Sequence, residues 1–269
     1  MVCILATVLL AVSPLLDESV RFVNTRLEKA EPSASIGRFL NYPANAAREC
    51  FVPNPEFWLK GVDFSCASTW NGAGGKTRAG TAISKRHIIF SGHFPLWTGV
   101  RILFVGEDGG VCPCTVKATQ TVGNSDIVIG LLDAELTPNI RPAKVLPEDF
   151  GKHIGDGGTF PVVTFNQDRK ALLTELVHLH EAGAMKSAFT IEPFREKWRE
   201  FRVPLVVGDS GCPAFILIGG EPVLIYCVKV GGCGHGPAIH AYRTEIQGAM
   251  DALCPGYRLE TFDFRRRGK

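Results

Sequence analysis

The chain has no apolar run long enough to cross a bilayer: residues 2–12, Val-Cys-Ile-Leu-Ala-Thr-Val-Leu-Leu-Ala-Val, stop near half the ~20 residues a spanning helix requires. A membrane span is therefore not expected. Charge of one sign is also missing, since 29 Lys and Arg face 27 Asp and Glu, and a net charge of +2 selects no class of partner. The only basic cluster is Arg265-Arg266-Arg267-Gly268-Lys269, with no aromatics interleaved for stacking on bases. It reads as a solvated tail over 257–269, and no nucleic-acid partner is expected. Internal repeats and low-complexity tracts are absent, which removes solenoids and disordered linkers. Cys112-Pro113-Cys114 and Cys233-Gly234-His235 miss the usual zinc spacings and have no second matching half, so neither metal nor cofactor is expected.

What is present suits a packed, strand-rich protein. A hydrophobic content of 45% over 269 residues can bury a large core, and 29 glycines with 17 prolines supply many turns. From Trp58 onward, apolar runs of strand length alternate with turn signals, at 61–64, 80–83, 88–90, 100–105, 111–118 and 127–132. Glu107-Asp108-Gly109-Gly110 marks a hairpin turn between two of them. Residues 136–158, with three prolines, connect to a second series at 161–165, 171–179, 188–191, 214–218 and 222–230. Ile246, Ala249, Met250 and Leu253 then recur at helical spacing and predict a C-terminal helix over about 242–253, stopped by Cys254-Pro255-Gly256. Ahead of the strands, residues 17–57 read as a short helix plus extended loop wrapping the main unit.

The 2–12 run has the length of a secretory-signal core, and Ala11-Val12-Ser13 offers a cleavage site, although no Lys or Arg precedes it and Pro14 follows closely. A secreted or extracytoplasmic chain is one expectation; a buried N-terminal segment or a misassigned start is the other. Nine cysteines, at 3, 50, 66, 112, 114, 212, 227, 233 and 254, fit the first. Loss of Cys3 with a signal leaves an even number, compatible with disulfides, and Cys50 with Cys66 is a pairing offered on proximity.

Chemistry is concentrated in Gly208-Asp209-Ser210-Gly211-Cys212. A serine hydroxyl attacks only when a base removes its proton, so Ser210 requires a histidine and an acid to orient it. Upstream, Gly80-Thr81-Ala82-Ile83-Ser84 leads into an apolar run that ends at His93, and Asp126 opens the apolar run Ile127 to Leu132. Imidazole can accept and return a proton near neutrality because its ordinary pKa is about 6.5. Flanking glycines let backbone N–H groups point inward, which makes Gly208 and Ser210 the natural oxyanion donors. Taken singly, each feature is ordinary: a polar turn, a surface histidine, a strand-capping acid. His87 lies six residues before His93 and reads as structural.

The order His93, Asp126, Ser210, with the Gly-Thr-x-Ile-Ser and Gly-Asp-Ser-Gly stretches, resembles the trypsin/chymotrypsin-like serine peptidases over roughly residues 60–253. The resemblance implies an all-β fold: a chymotrypsin-like double six-stranded antiparallel β-barrel with a C-terminal α-helix and, here, an N-terminal extension. It implies a peptidase unit over 58–256, with barrels at about 58–140 and 158–240 after an N-terminal portion over 1–57. The activity implied is serine endopeptidase hydrolysis of a peptide or protein substrate by a monomer without cofactor. An α/β-hydrolase, whose serine sits between strand and helix, fits poorly, because Pro213 follows at once and that fold places its acid and histidine after the serine.

The chain also departs from the family pattern. No Ile-Val-Gly-Gly occurs to supply the amine that pairs with the acid before the serine in the vertebrate enzymes, so Asp209 must be held otherwise. Phe94 stands where cysteine usually follows the histidine, and Cys212 replaces a glycine. Six residues before the serine, where trypsin carries its specificity acid, stands Pro204; the facing wall includes Gly231, Gly232 and His240. This leaves no support for Lys or Arg preference and makes an apolar or, through His240, an acidic side chain the alternatives. A non-catalytic homologue that binds peptides or proteins in the same cleft is the competing functional class.

Overall fold

The fold was determined as a computed structural model, which describes residues 14–40, 51–68, 78–150, 159–180 and 186–264. The 2–12 run, Cys3, Cys50 and the 265–269 basic cluster lie outside the described residues. Twelve strands and few helices make it mostly β. No helix among the described residues is long and apolar enough to cross a membrane.

Two curled sheets, each a half-barrel, carry the site. The first contains β1 (Thr81–Ala82), β2 (His87–Ser91), β3 (Arg101–Val105), β4 (Val111–Thr121) and β5 (Ile127–Leu132) in the order β1-β2-β5-β4-β3. The second contains β6 (Lys144–Val145), β7 (Phe160–Phe165), β8 (Ala171–His180), β9 (Ser187–Ile191), β10 (Pro213–Ile218), β11 (Glu221–Cys227) and β12 (His235–Pro237) in the order β12-β9-β8-β7-β10-β11-β6. Among the described residues the strands divide five and seven between the two sheets, where six and six were expected. Residues 144–145, read from sequence as connector, pair parallel with Val223 and Leu224, and Val145 also bridges in parallel to Thr261; the other strand pairs among the described residues are antiparallel.

Strand chemistry follows burial. β5 is buried at all six positions, which is why it is a continuous apolar run, whereas β4 alternates, with Cys112, Cys114 and Val116 inward and Pro113 and Lys117 exposed. Residues 61–64, expected as a strand, form turns instead. Val62 N–H bonds back to Leu59 O, Asp63 Oδ1 accepts the Ser65 N–H, and Phe64 N–H is held by Glu107 rather than by a neighbouring strand.

The N-terminal portion is a built part of the structure. In α1 (Pro14–Leu27), Leu16, Val23 and Leu27 are buried at i, i+7 and i+11, one helical stripe that packs against β7 and β10. After α2 (Pro32–Ser35), Asn54 Nδ2 donates to Ala34 O and Gly37 O, both at 2.8 Å, and Arg38 N–H donates to Arg169 O. The segment is thereby fastened to the β7–β8 turn. At the other end, α4 (Arg243–Leu253) inserts Ile246, Ala249 and Met250, close to the limits read from the helical period.

The main core runs through both sheets, with Ile88 and Ile129 from the first and Phe165, Phe215 and Leu217 from the second in one cluster. Phe64 joins Phe165 and Phe215 at ring-centroid distances of 5.0 and 5.5 Å. Because Phe215 is fully buried where the sheets meet, Phe215→Ala should lower the unfolding free energy by about 3–5 kcal/mol in urea denaturation. A loss under about 1 kcal/mol would show that this junction is loosely packed.

Candidate active site

The register of one strand pair places the histidine and the acid. Ser91 of β2 lies opposite Ile127 of β5, so the chain leaving β2 at Gly92-His93 meets the chain entering β5 at Asp126. Gly92 N–H donates to Asp126 O at 2.9 Å, and the carboxylate then serves His93 twice: Oδ1 accepts the backbone N–H at 2.8 Å and Oδ2 lies 2.7 Å from ring Nδ1. Fixing both backbone and ring leaves Nε2 directed outward. It stands 2.9 Å from Ser210 Oγ.

Ser210 comes from the second sheet, on the turn before β10. Gly208 and Gly211 take φ of +107° and +83°, values that side chains rarely adopt, and so turn the backbone sharply on both sides of the serine. The turn's amides divide into two groups. Asp209 N–H bonds to Val206 O, Gly211 N–H to Val228 O and Cys212 N–H to Asp209 O, whereas the Gly208 and Ser210 N–H groups have no acceptor among the described residues. Those two are the amides singled out in the sequence as oxyanion donors. The sheets are joined beneath them by Ser91 Oγ, which donates to Val228 O at 3.0 Å.

Asp209 is fully buried and is held by two backbone amides. Oδ1 accepts the Gln167 N–H at 2.8 Å and Oδ2 accepts the Val206 N–H at 2.7 Å. Neither Ser91 nor Gln167 was recognisable from sequence. Ser91 is an ordinary strand residue two positions before the histidine, and Gln167 sits in a turn more than 40 residues from Asp209.

Of the expected substrate-pocket residues, three lie on adjoining exposed segments and one is buried. Pro204, Gly231 and Gly232 are exposed, but the two walls they belong to are pinned together by Leu205 N–H to Gly232 O and Gly232 N–H to Leu205 O, both 2.9 Å. A side chain on Gly231 would stand 2.7 Å from Leu205 O. His240 is 2% exposed in a 3-10 turn over Ile239–Tyr242. Exposed apolar groups do flank the turn: Val206, Val207 and Val230.

The cysteines among the described residues, with His235 and His87, have structural settings. The seven cysteines among the described residues, Cys66 included, are free thiols, so the disulfide framework expected from their number is not found there. Burial raises the Cys212 thiol to about 12, and it remains a neutral apolar filler behind Ser210. His235 stacks on Phe189 at 4.1 Å, and Cys233 Sγ receives Arg202 Nη2, so neither is arranged as a ligand pair.

His87 is fully buried, with Nδ1 2.9 Å from Ser84 Oγ, and burial lowers its pKa to about 4. A histidine that titrates near 6.5 unfolded and near 4 folded stabilises the fold fully above pH 6.5. That contribution falls as pH drops from 6.5 towards 4, where the unfolded chain binds the extra proton. His87→Phe should therefore flatten the pH dependence of unfolding between those limits by on the order of 3 kcal/mol. Superimposable profiles for the two proteins would contradict this. Asp209→Asn, which opposes an NH2 group to one of two N–H donors, should cost about 2–4 kcal/mol in the same measurement; a change below about 0.5 kcal/mol would mean that the two amide bonds contribute little.

No protein-family model matches the sequence, and no curated protein matches it.

Proposed function

We propose that the protein is a serine endopeptidase of the chymotrypsin-like double β-barrel type. The observation that carries this reading is the unbroken relay Asp126 Oδ2, His93 Nδ1, His93 Nε2, Ser210 Oγ, with consecutive separations of 2.7 and 2.9 Å, beside two amides that have no acceptor among the described residues. The resemblance of the sequence motifs supports it independently of the distances.

The chemistry follows from atom placement. Ser210 Oγ attacks the carbonyl carbon of a peptide bond while His93 Nε2 takes the hydroxyl proton. Asp126 holds Nδ1 protonated and stabilises the imidazolium that forms. Negative charge builds on the substrate oxygen, and the Gly208 and Ser210 N–H groups supply the donors for it. The C–N bond breaks as His93 returns its proton to the leaving amine. A water then repeats the sequence on the acyl ester, giving the acid and restoring Ser210.

Substrate preference is read from what flanks the serine. Pro204 supplies no charge for a Lys or Arg side chain, and exposed Val206, Val207 and Val230 favour apolar residues near the cleaved bond. Hydrolysis of a pooled fluorogenic peptide library by the full chain tests the assignment. His93→Ala should lower the rate on the order of 10⁴-fold or more, whereas His87→Ala should leave the rate per folded molecule within a few-fold. Equal losses in the two variants would remove His93 from the reaction.

A further inference from the structure

We propose that a small monovalent anion, chloride in kind, binds in the internal cavity between Arg169 and Arg38 behind the nucleophile turn. The cavity, lined by Arg38, Ser68, Ala79, Phe165, Arg169 and Cys212 among others, has a volume of ≈ 10 Å³. That is room for a single small occupant.

Arg169 supplies the reason for a charged occupant. It is 3% exposed, and its Nη1 donates to Asn166 O at 3.2 Å, but Nε and Nη2 have no acceptor among the described residues. A guanidinium does not shed its proton to relieve burial, so it requires acceptors and a counter-charge. No neighbouring group supplies an acceptor or a carboxylate in direct contact. Arg38 is itself cationic and is already matched by Glu107 Oε1 at 2.7 Å and by the carbonyls of Phe64 and Val105. Both oxygens of Asp209 are engaged by the Gln167 and Val206 amides, and Cys212 carries an uncharged thiol. Arg169 is thus a buried guanidinium with no carboxylate in contact, beside a cavity it shares with Arg38. A water would accept the two N–H groups and leave the charge, whereas a halide answers both needs.

Arg169 is also the only residue other than glycine with positive φ among the described residues, +60°. Its side chain reaches the cavity from a backbone conformation that a long side chain tolerates poorly. This turn also carries Gln167, and Arg169 O accepts the Arg38 N–H, so an anion here would join the N-terminal segment, the β7–β8 turn and the residues behind Ser210. The site does not depend on the hydrolytic reading.

The test is thermal unfolding of the full chain at constant ionic strength, with sodium chloride or bromide exchanged for sodium gluconate. A ligand of the folded state at about ten times its dissociation constant shifts the folding equilibrium roughly 11-fold, so halide should raise Tm by several degrees along a saturating curve. Arg169→Gly suits the +60° backbone and should abolish this response while retaining the fold. Crystals grown in bromide should show an anomalous-scattering peak beside Arg169 Nε and Nη2, which decides the matter even if Arg169→Gly fails to fold. A water alone in the cavity, no halide effect on Tm, or an undiminished effect in Arg169→Gly would each overturn the proposal.

Discussion

The arrangement around Ser210 depends on a buried negative charge. Asp209 has no contact with water, and an unpaired carboxylate there would cost several kcal/mol. Two backbone amides, from Gln167 and Val206, meet that requirement, and each belongs to a segment that is thereby fixed. Val206 closes the turn that contains the serine, and Gln167 ties this turn to the β7–β8 connection. The N-terminal segment then locks onto that connection through Arg38 and Gly37, which bridge to Arg169 and Lys170. One carboxylate therefore couples the Ser210 turn to a part of the chain distant in sequence. Both partners are internal amides of the chain.

The other half of the site depends on strand register. A shift of one residue between β2 and β5 would carry Asp126 away from His93 and turn the buried side chains of β5 to the opposite face. Gly130 shows how closely these strands pack: a methyl group there would stand 2.9 Å from Ile88 Cγ1 and 3.1 Å from Phe90 Cε1. Core packing and the alignment of the acid with the histidine are thus set by the same pairing. Ser91 extends the constraint across the sheets through its bond to Val228 O.

Features carried by local pattern were legible in the sequence. Ile127 to Leu132 is apolar at every position and forms β5 within those limits, while the helical period before Cys254 marks α4. His93, Asp126 and Ser210 were separable from other candidates because each adjoins such a pattern, and the structure brings the three together. Features set by distant partners were not legible. Residues 144–145 resemble a connector until Val223 and Leu224 are beside them, and 61–64 is as apolar as a strand but spends its amides on Leu59 and Glu107. The burial of His240 and the clasp between Leu205 and Gly232 likewise depend on how separate segments meet. Arg169, polar and placed in a turn, gives no sign in sequence that it will be buried.

The central claim is that Ser210 is an activated nucleophile, and covalent capture reads that directly. The full-length protein would be treated with a fluorophosphonate and the modified residue located by mass spectrometry of its peptides. The relay from Asp126 through His93 predicts a single adduct on Ser210, with none in Ser210→Ala. A folded protein that takes up no label, or one labelled equally after Ser210→Ala, would contradict the account.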